Sequence, residues 1–422
     1  MDRNVIALVL FVGAYVLFVL LPHRRSVVAV TAVVLLLLTR TVSPFEALIA
    51  VNWNVMGIFV GMLLVAEVFI ASRFPAYFAE LIVNRAKNTA WAILFICLMT
   101  TVISAFVENV ATVLIVAPIA LSLAKKLDIK PVNMLIAIAI SSNLQGAATL
   151  IGDPPSMLLA GYSKMTFLDF FFYKGKPSIF FAVQFGAATS FLVLYFVFRG
   201  RREKTAVIAV ETVKSWMPTI LLGLLIVALA FSSFIDQEFR YLAGLLCMVF
   251  GVSMVLGETR LDRSELWRNL RRLDWDTTFF LMGIFIIVES LTITGWIDTI
   301  SRELSLLVHG NALAGYITLV LGAVAFSAFV DNVPFLATML PVAGSMSQTL
   351  GTEPPLLFFG LLIGASLGGN ITPVGASANI VACGLLRKEG YPVTFRDFGK
   401  ISVAFTVAAV VPAAILVWFL WA

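Results

Sequence analysis

The chain has 422 residues, 60% hydrophobic and only 13% charged, where a soluble protein of this length carries roughly 25% charged residues. Its 29 Lys and Arg against 24 Asp and Glu sit in short loops, as positive-inside retention requires, and do not form a nucleic-acid-binding surface. Three cysteines (Cys97, Cys247 and Cys383), each in an apolar segment, provide neither a disulfide framework nor a CxxC metal centre.

Taken in chain order, residues 5–21 are apolar over a length close to a bilayer span. They lack a basic flank before them and a small-residue cleavage site after them, so they predict a retained helix and not a signal peptide. Residues 55–70, 178–198, 216–234, 241–256 and 401–421 predict further spans. The regions near 89–124 and 311–349 predict helical hairpins, and those near 131–161 and 354–386 predict broken helices. His23 and His309 fall near helix ends, at the membrane interface. The fold class expected is an all-α polytopic membrane protein of two inverted repeats, with about 10 transmembrane helices plus the two hairpins and two broken helices.

The repeat is explicit. Residues 104–120 read SAFVENVATVLIVAPIA and residues 327–343 read SAFVDNVPFLATMLPVA, an offset of 223 that matches Glu108 to Asp331. The same offset aligns Gly146, Thr149, Gly152 and Gly161 with Gly369, Thr372, Gly375 and Gly384. An offset of 222 aligns Trp53, Gly61 and Glu67 with Trp275, Gly283 and Glu289. Three blocks in one order at nearly one offset establish a duplication. The domains expected are a first repeat over 1–200, a basic cytoplasmic linker over 201–213, and a second repeat over 214–422. Basic residues at 23–25, 73–87, 125–130, 199–204, 258–272 and 387–400 place those loops in the cytoplasm and both termini outside. Lys164, Lys174 and Lys176 are the main exceptions. The resulting odd number of crossings per half makes the second repeat inverted.

Charge is scarce where chemistry is expected. Glu108 is the only charged residue from 89 to 124, Asp153 the only one from 131 to 163, and Asp331 the only one from 311 to 352; residues 354–386 carry none. A lone acid at membrane depth costs about 2.5–3.5 kcal/mol. With no Lys or Arg in these stretches, each acid must be protonated, hold a cation, or accept hydrogen bonds from exposed backbone. Glu108-Asn109 and Asp331-Asn332 read as helix starts, with Asn332 able to cap and Pro334 tolerated in a first turn. Gly152-Asp153-Pro154-Pro155 cannot continue a helix, and neither can the run from Gly368 through Thr372-Pro373 to Gly375-Ala376-Ser377. Unwound backbone at this depth belongs to a cavity or a protein interior.

Each feature has a plainer competitor. Glu108 and Asp331 could be protonated structural caps, but both stand at the repeated break, which favours a binding role. Asp153 has no counterpart, since Ala376 takes its place, and reads first as a cap on Pro154 and second as a carrier. Glu67 and Glu289 read as structural or interfacial. Asn143, Asn370 and Asn379, polar in apolar helices, line the site or bridge the breaks. The cysteines read as packing residues.

FVENVAT and FVDNVPFLATMLPV, together with ATLIGDPPSMLLAG and GGNITPVGASANIVACG, resemble the ion transporter superfamily, with the nearest likeness to the ArsB/NhaD permease branch and the melanosomal P protein. The likeness runs over nearly the whole chain. It implies that Glu108, Asn109 and Thr112 with Gly152, Asp153, Pro154 and Pro155 form one half-site. Asp331, Asn332 and Thr338 with Asn370, Thr372, Gly375, Ser377 and Asn379 would form the other. Asn143 and Thr149 complete the expected substrate- and ion-binding set, and Glu108, Asp331 and Asp153 the proton-coupling set. Dicarboxylate–sodium symporters of the superfamily carry a hydroxyl where this chain has Glu108 and Asp331, which resembles the proton- or sodium-antiporting branch.

The function expected is a secondary active transporter, first a proton-coupled efflux antiporter for arsenite, antimonite or a similar small inorganic solute. The alternatives are a sodium/proton antiporter and a sodium-coupled symporter of dicarboxylates or other anions. A channel is disfavoured by the duplication and paired breaks. No GxxxxGK[ST] motif is present, so ATP coupling would need a cytosolic ATPase subunit, which the resemblance allows. No enzyme activity, cofactor (beyond a coupling H+ or Na+), metal or nucleic acid is expected. The lipid bilayer, the solute and a second copy in a homodimer are the expected partners, in the cell inner membrane.

Overall fold

The computed structural model describes residues 2–201, 203, 211–259, 270, 271 and 273–422. Most of the expected linker over 201–213, and most of the basic run at 258–272, lies outside these. Nineteen α-helices make up the described chain. The first half holds α1 (Arg3–Leu20), α2 (Arg25–Leu38), α3 (Pro44–Ala50), α4 (Trp53–Ala71), α5 (Phe74–Asn84), α6 (Thr89–Ser104), α7 (Asn109–Lys126), α8 (Val132–Gly146), α9 (Pro154–Ser163) and α10 (Ile179–Phe198). The second holds α11 (Met217–Ile235), α12 (Leu242–Thr259), α13 (Trp275–Ile293), α14 (Trp296–Leu307), α15 (Ala312–Ser327), α16 (Asn332–Leu350), α17 (Pro354–Gly368), α18 (Ser377–Lys388) and α19 (Phe395–Trp421). A two-residue ribbon, Phe172–Tyr173 against Lys176–Pro177, is the one addition to an otherwise all-α architecture among the described residues.

Eight helices are long and apolar enough to cross a membrane, or nine if α14 and α15, bent by 116°, count as one span. The chain is therefore a multi-pass membrane protein. Further apolar helices are shorter, α2, α6 and α8 among them. α2 has 14 residues, about 21 Å at 1.5 Å per residue, against a hydrocarbon core of ~30 Å.

The two halves are built into each other. α4 packs on α12, and its equivalent α13 packs on α2, the equivalent of α12. Small residues permit the close approach, as expected between helices in lipid. A Cβ on Gly61 would lie 2.4 Å from the Cys247 backbone carbon, and one on Gly251 would lie 2.7 Å from the Gly61 carbonyl. Reciprocally, a Cβ on Gly283 would lie 2.7 Å from the Ala29 Cβ. Around this frame, α8 and α17 are the most enclosed helices. α17 is buried at every position from Pro355 to Gly368, and α8 from Met134 to Gly146.

Candidate functional site

Four interruptions, at 105–108, 147–153, 328–331 and 369–376, converge on the core of the molecule. Each has a local cause. Pro154 and Pro155 open α9 and have no N–H to continue from α8. Residues 369–371 tighten into a 3₁₀ turn before the chain extends through Thr372. Gly152 and Gly375 are required by contact: a Cβ on Gly152 would lie 2.7 Å from the Gly146 carbonyl, and one on Gly375 2.6 Å from the Gly369 carbonyl.

The same bonds tie break to hairpin in both halves. Thr149 Oγ1 donates to the Ala105 carbonyl, and Thr372 Oγ1 to the Ala328 carbonyl. Ser156 Oγ donates to the Gly146 carbonyl at 3.0 Å, and its equivalent, Asn379 Nδ2, to the Gly369 carbonyl at 2.9 Å. These bonds satisfy carbonyls left open where a helix ends inside protein.

Beyond this common frame the half-sites diverge. In the first, Glu108 is itself the cap of α7, accepting from Ala111 N–H at 3.0 Å. Asp153 stands at the start of α9 but makes no capping bond there, so its expected role as a cap is corrected. The tight turn sets its side chain beside that of Asn109, on either side of the space a Cβ on Gly146 would fill. Asn109 Oδ1 in turn accepts from Ser104 Oγ at 2.7 Å, and the Ser104 and Ser142 hydroxyls lie 2.9 Å apart. Asn109, Ser104 and Ser142 thus form one buried polar chain, with Asp153 beside it. Thr112 is buried beside it and donates to the Val107 carbonyl at 3.2 Å. In the second half Ala376 and Ala365 replace Asp153 and Ser142, and the chain is absent.

The second tip is wired outward. Asp331, not Asn332, caps α16, accepting from Val333 N–H at 3.0 Å. Asn332 is the first helical residue, buried, and Pro334 follows in the first turn. The other Asp331 oxygen accepts from Arg25 Nη1 at 2.6 Å. This corrects the expectation of an acid without a basic partner: the cation comes from α2, outside the stretch around Asp331. Tyr15 of α1 hydrogen-bonds both Thr338 Oγ1 and the Pro334 carbonyl. Neither Arg25 nor Tyr15 is found by reading the hairpin motifs.

The asparagines join the halves. Asn143 Nδ2 donates to Asn370 Oδ1 at 2.9 Å and to Asn379 Oδ1 at 3.0 Å. Asn370 Nδ2 donates to the Ile140 carbonyl at 3.2 Å. All three are almost fully enclosed, and Ser142 beside Asn143 extends the network to the first tip. Asp153 lies within electrostatic range of Glu108 and Asp331, and Glu108 within range of Arg25 and Asp274. Three carboxylates and a polar network therefore share one interior. Ser377 opens α18, half-buried and apart from these bonds among the described residues. Glu67 and Glu289 lie along α4 and α13, away from the breaks. No cluster of three or more metal-ligating side chains occurs among the described residues.

Paired hairpins facing paired broken helices, with carboxylates at their meeting point and a twofold-related frame, define a secondary transporter of the ion transporter superfamily. Residues 15–364 match the profile of the citrate transporter family, CitMHS, and the chain belongs to that family. It is 29% identical to an uncharacterized transporter of Mycobacterium tuberculosis over 98% of both chains. It is 26% identical to the P protein of Sus scrofa, across 96% of this chain and 58% of that one. Two solved transporters share the fold. YdaH of Alcanivorax borkumensis matches with a TM-score of 0.59 at 13% identity, over 86% of this chain and 84% of that one. MtrF of Neisseria gonorrhoeae, described among antimetabolite efflux pumps, matches with a TM-score of 0.57 at 14% identity, over 92% and 85%.

Proposed function

We propose that the chain is a proton-coupled efflux antiporter for arsenite, antimonite or a similar small neutral inorganic solute, resident in the inner membrane with both termini outside. The observation that carries this reading is the buried Asp153, beside Asn109 and within electrostatic range of Glu108, with no salt bridge to either acid among the described residues. A carboxylate so enclosed favours a bound proton or cation. Neutral trihydroxyarsenic suits the hydroxyls, amides and backbone groups around the breaks. Arg25, the basic residue at the tips, is already engaged by Asp331 and Thr277.

The net negative site supports a second reading, a sodium/proton antiporter in which Glu108 and Asp153 ligate sodium. An anion such as the citrate in the family's name fits the charge least, since three carboxylates would have to be offset by cations bound with it. Proteoliposomes carrying an internal pH reporter test these readings. Arsenite alone should drive proton movement, whereas a response to sodium alone selects the second reading. A response to citrate alone sinks both. If Glu108→Gln and Asp331→Asn each leave proton-coupled arsenite uptake intact, the mechanism is wrong.

A further inference from the structure

The two hairpin tips carry equivalent acids in unlike company. Arg25 occupies a built socket at the second tip. Its Nη1 donates to Asp331 Oδ2 at 2.6 Å, its Nη2 to Thr277 Oγ1 at 2.7 Å, and its Nε faces Asp276 Oδ2 at 3.4 Å. The Phe280 ring lies under the guanidinium, 5.1 Å from centroid to Cζ, a stacking geometry that Arg favours. The side chain is 19% exposed. Asp276 is held in turn by Ser26 Oγ, and Asp274 caps α13 through Thr277 N–H at 2.9 Å.

The repeat shows what the first half has in these places. At the offset of 222 that pairs Gly61 with Gly283, Arg25 corresponds to Cys247, Asp276 to Asn54 and Asp274 to Asn52. The contacts verify this register, since Gly251 meets Gly61 just as its equivalent Ala29 meets Gly283. Cys247 is fully buried. Asn54 forms a neutral latch, donating to the Phe239 carbonyl at 2.9 Å and accepting from Gly244 N–H at 2.7 Å. The first half-site therefore has three acid-to-neutral or basic-to-neutral differences from the second, and it alone has Asp153.

We infer that Arg25 is a resident cation that fills the cation position of the Asp331 half-site, so that the mobile coupling cation binds only at Glu108 and Asp153. This rests on the reading that the tip acids carry the coupling ion. The charged groups facing Arg25 are Asp331 from α16, Asp276 at the start of α13, Asp274 just before it, and Glu108 at longer range from α7. Of these, only Asp331 is both repeated at a tip and in direct contact with the guanidinium. Arg25 thus acts on specificity through Asp331: a tethered guanidinium cannot leave with the solute, and its charge does not count toward the cations moved per cycle.

The test is the number of cations moved per solute, read from reversal potentials in proteoliposomes with whichever substrate, arsenite or sodium, drives flux in the wild type. Arg25→Gln should raise the count by one as Asp331 becomes a free site. Arg25→Lys should retain the wild-type count, and Arg25→Gln with Asp331→Asn should return to it. A merely structural arginine would change rate or yield without changing the count. Asp331→Asn alone gives an answer that does not depend on any Arg25 variant folding: its rate falls but its count stays at the wild-type value. An unchanged count in Arg25→Gln, or a count lowered by one in Asp331→Asn, overturns the proposal. Absence of arsenite flux with normal sodium flux would instead overturn only the substrate assignment.

Discussion

The two halves share a backbone solution and differ in what they do with it. Thr149 and Thr372, Gly152 and Gly375, and Ser156 and Asn379 make the same bonds at equivalent places. Their common task is to satisfy the open groups of an interrupted helix, and that task is the same in either orientation. The side chains free of it have diverged. The first half directs its polar groups inward, from Asp153 through Asn109 to Ser142; the second directs Asp331 and Thr338 outward to Arg25 and Tyr15 of the first two helices. Duplication thus preserved what holds the breaks open and left the titratable chemistry to specialise.

Four predictions follow that comparison, in decreasing order of effect. Asp153→Asn should reduce coupled flux by about 100-fold, the lower end of what a positioned proton-transfer group contributes, while Ala376→Ser at the equivalent place should leave coupling in place. Equal losses in proteoliposome flux would mean the halves are functionally alike. Gly61→Ala should then destabilise by about 3 kcal/mol, the upper end for overpacking, because the new methyl meets backbone of α12. Gly283→Ala meets the Ala29 methyl at 2.7 Å and the Ala29 carbonyl carbon at 3.3 Å, so adding Ala29→Gly should restore most of its thermal stability in detergent, and failure of that rescue would break the reciprocal packing.

Asn143→Ala strands amide groups of Asn370 and Asn379 and should lower stability by about 1–3 kcal/mol. Ser366→Ala, at the equivalent position, removes a hydroxyl that has no hydrogen-bond partner among the described residues and should change stability by less than ~0.5 kcal/mol. A large loss for Ser366→Ala in thermal melts would show that the network extends into the second half.

The smallest effect is on the loop between α11 and α12. Burial opposes ionisation of Asp236, but bonds from the N–H groups of Arg240, Leu242 and Tyr241, with the nearby Arg240 charge, outweigh it and hold its carboxyl below the usual carboxylate range. Its contribution is therefore present above the unfolded carboxylate value, about pH 4, and is lost as pH falls through the lower folded value. Asp236→Asn should lower the melting temperature slightly at pH 7, and the gap to wild type should close on acidification. A gap that widens at low pH reverses the assignment.

Much of this was legible in the chain. The offsets of 223 and 222 identified equivalent positions, and the Gly and Pro runs located all four interruptions. The position of Glu108 and Asp331 at the tips was equally clear. Their partners were not. Asp153 reads as the cap its Pro-Pro neighbours suggest, whereas its side chain lies beside that of Asn109 because Gly146 leaves no side chain between them: a Cβ there would lie 2.6 Å from Asn109 Oδ1 and 2.8 Å from Asp153 Cβ. Asp331 reads as an acid without a cation, since Arg25 is separated from it by 306 residues.

The sequence by itself determined membrane residence, duplication and the sites where helices must break. These follow from local properties: apolar side chains partition into lipid, proline lacks a donor, and a strict offset records common descent of two segments. Only the tertiary structure decided which groups face the buried acids. That choice depends on helices from opposite halves packing within a few ångströms through Gly61, Gly251 and Gly283, and a contact between residues hundreds of positions apart leaves no periodic trace in either segment. The unequal surroundings of Glu108 and Asp331 are accordingly a property of packing, built on a motif that looks the same in both halves.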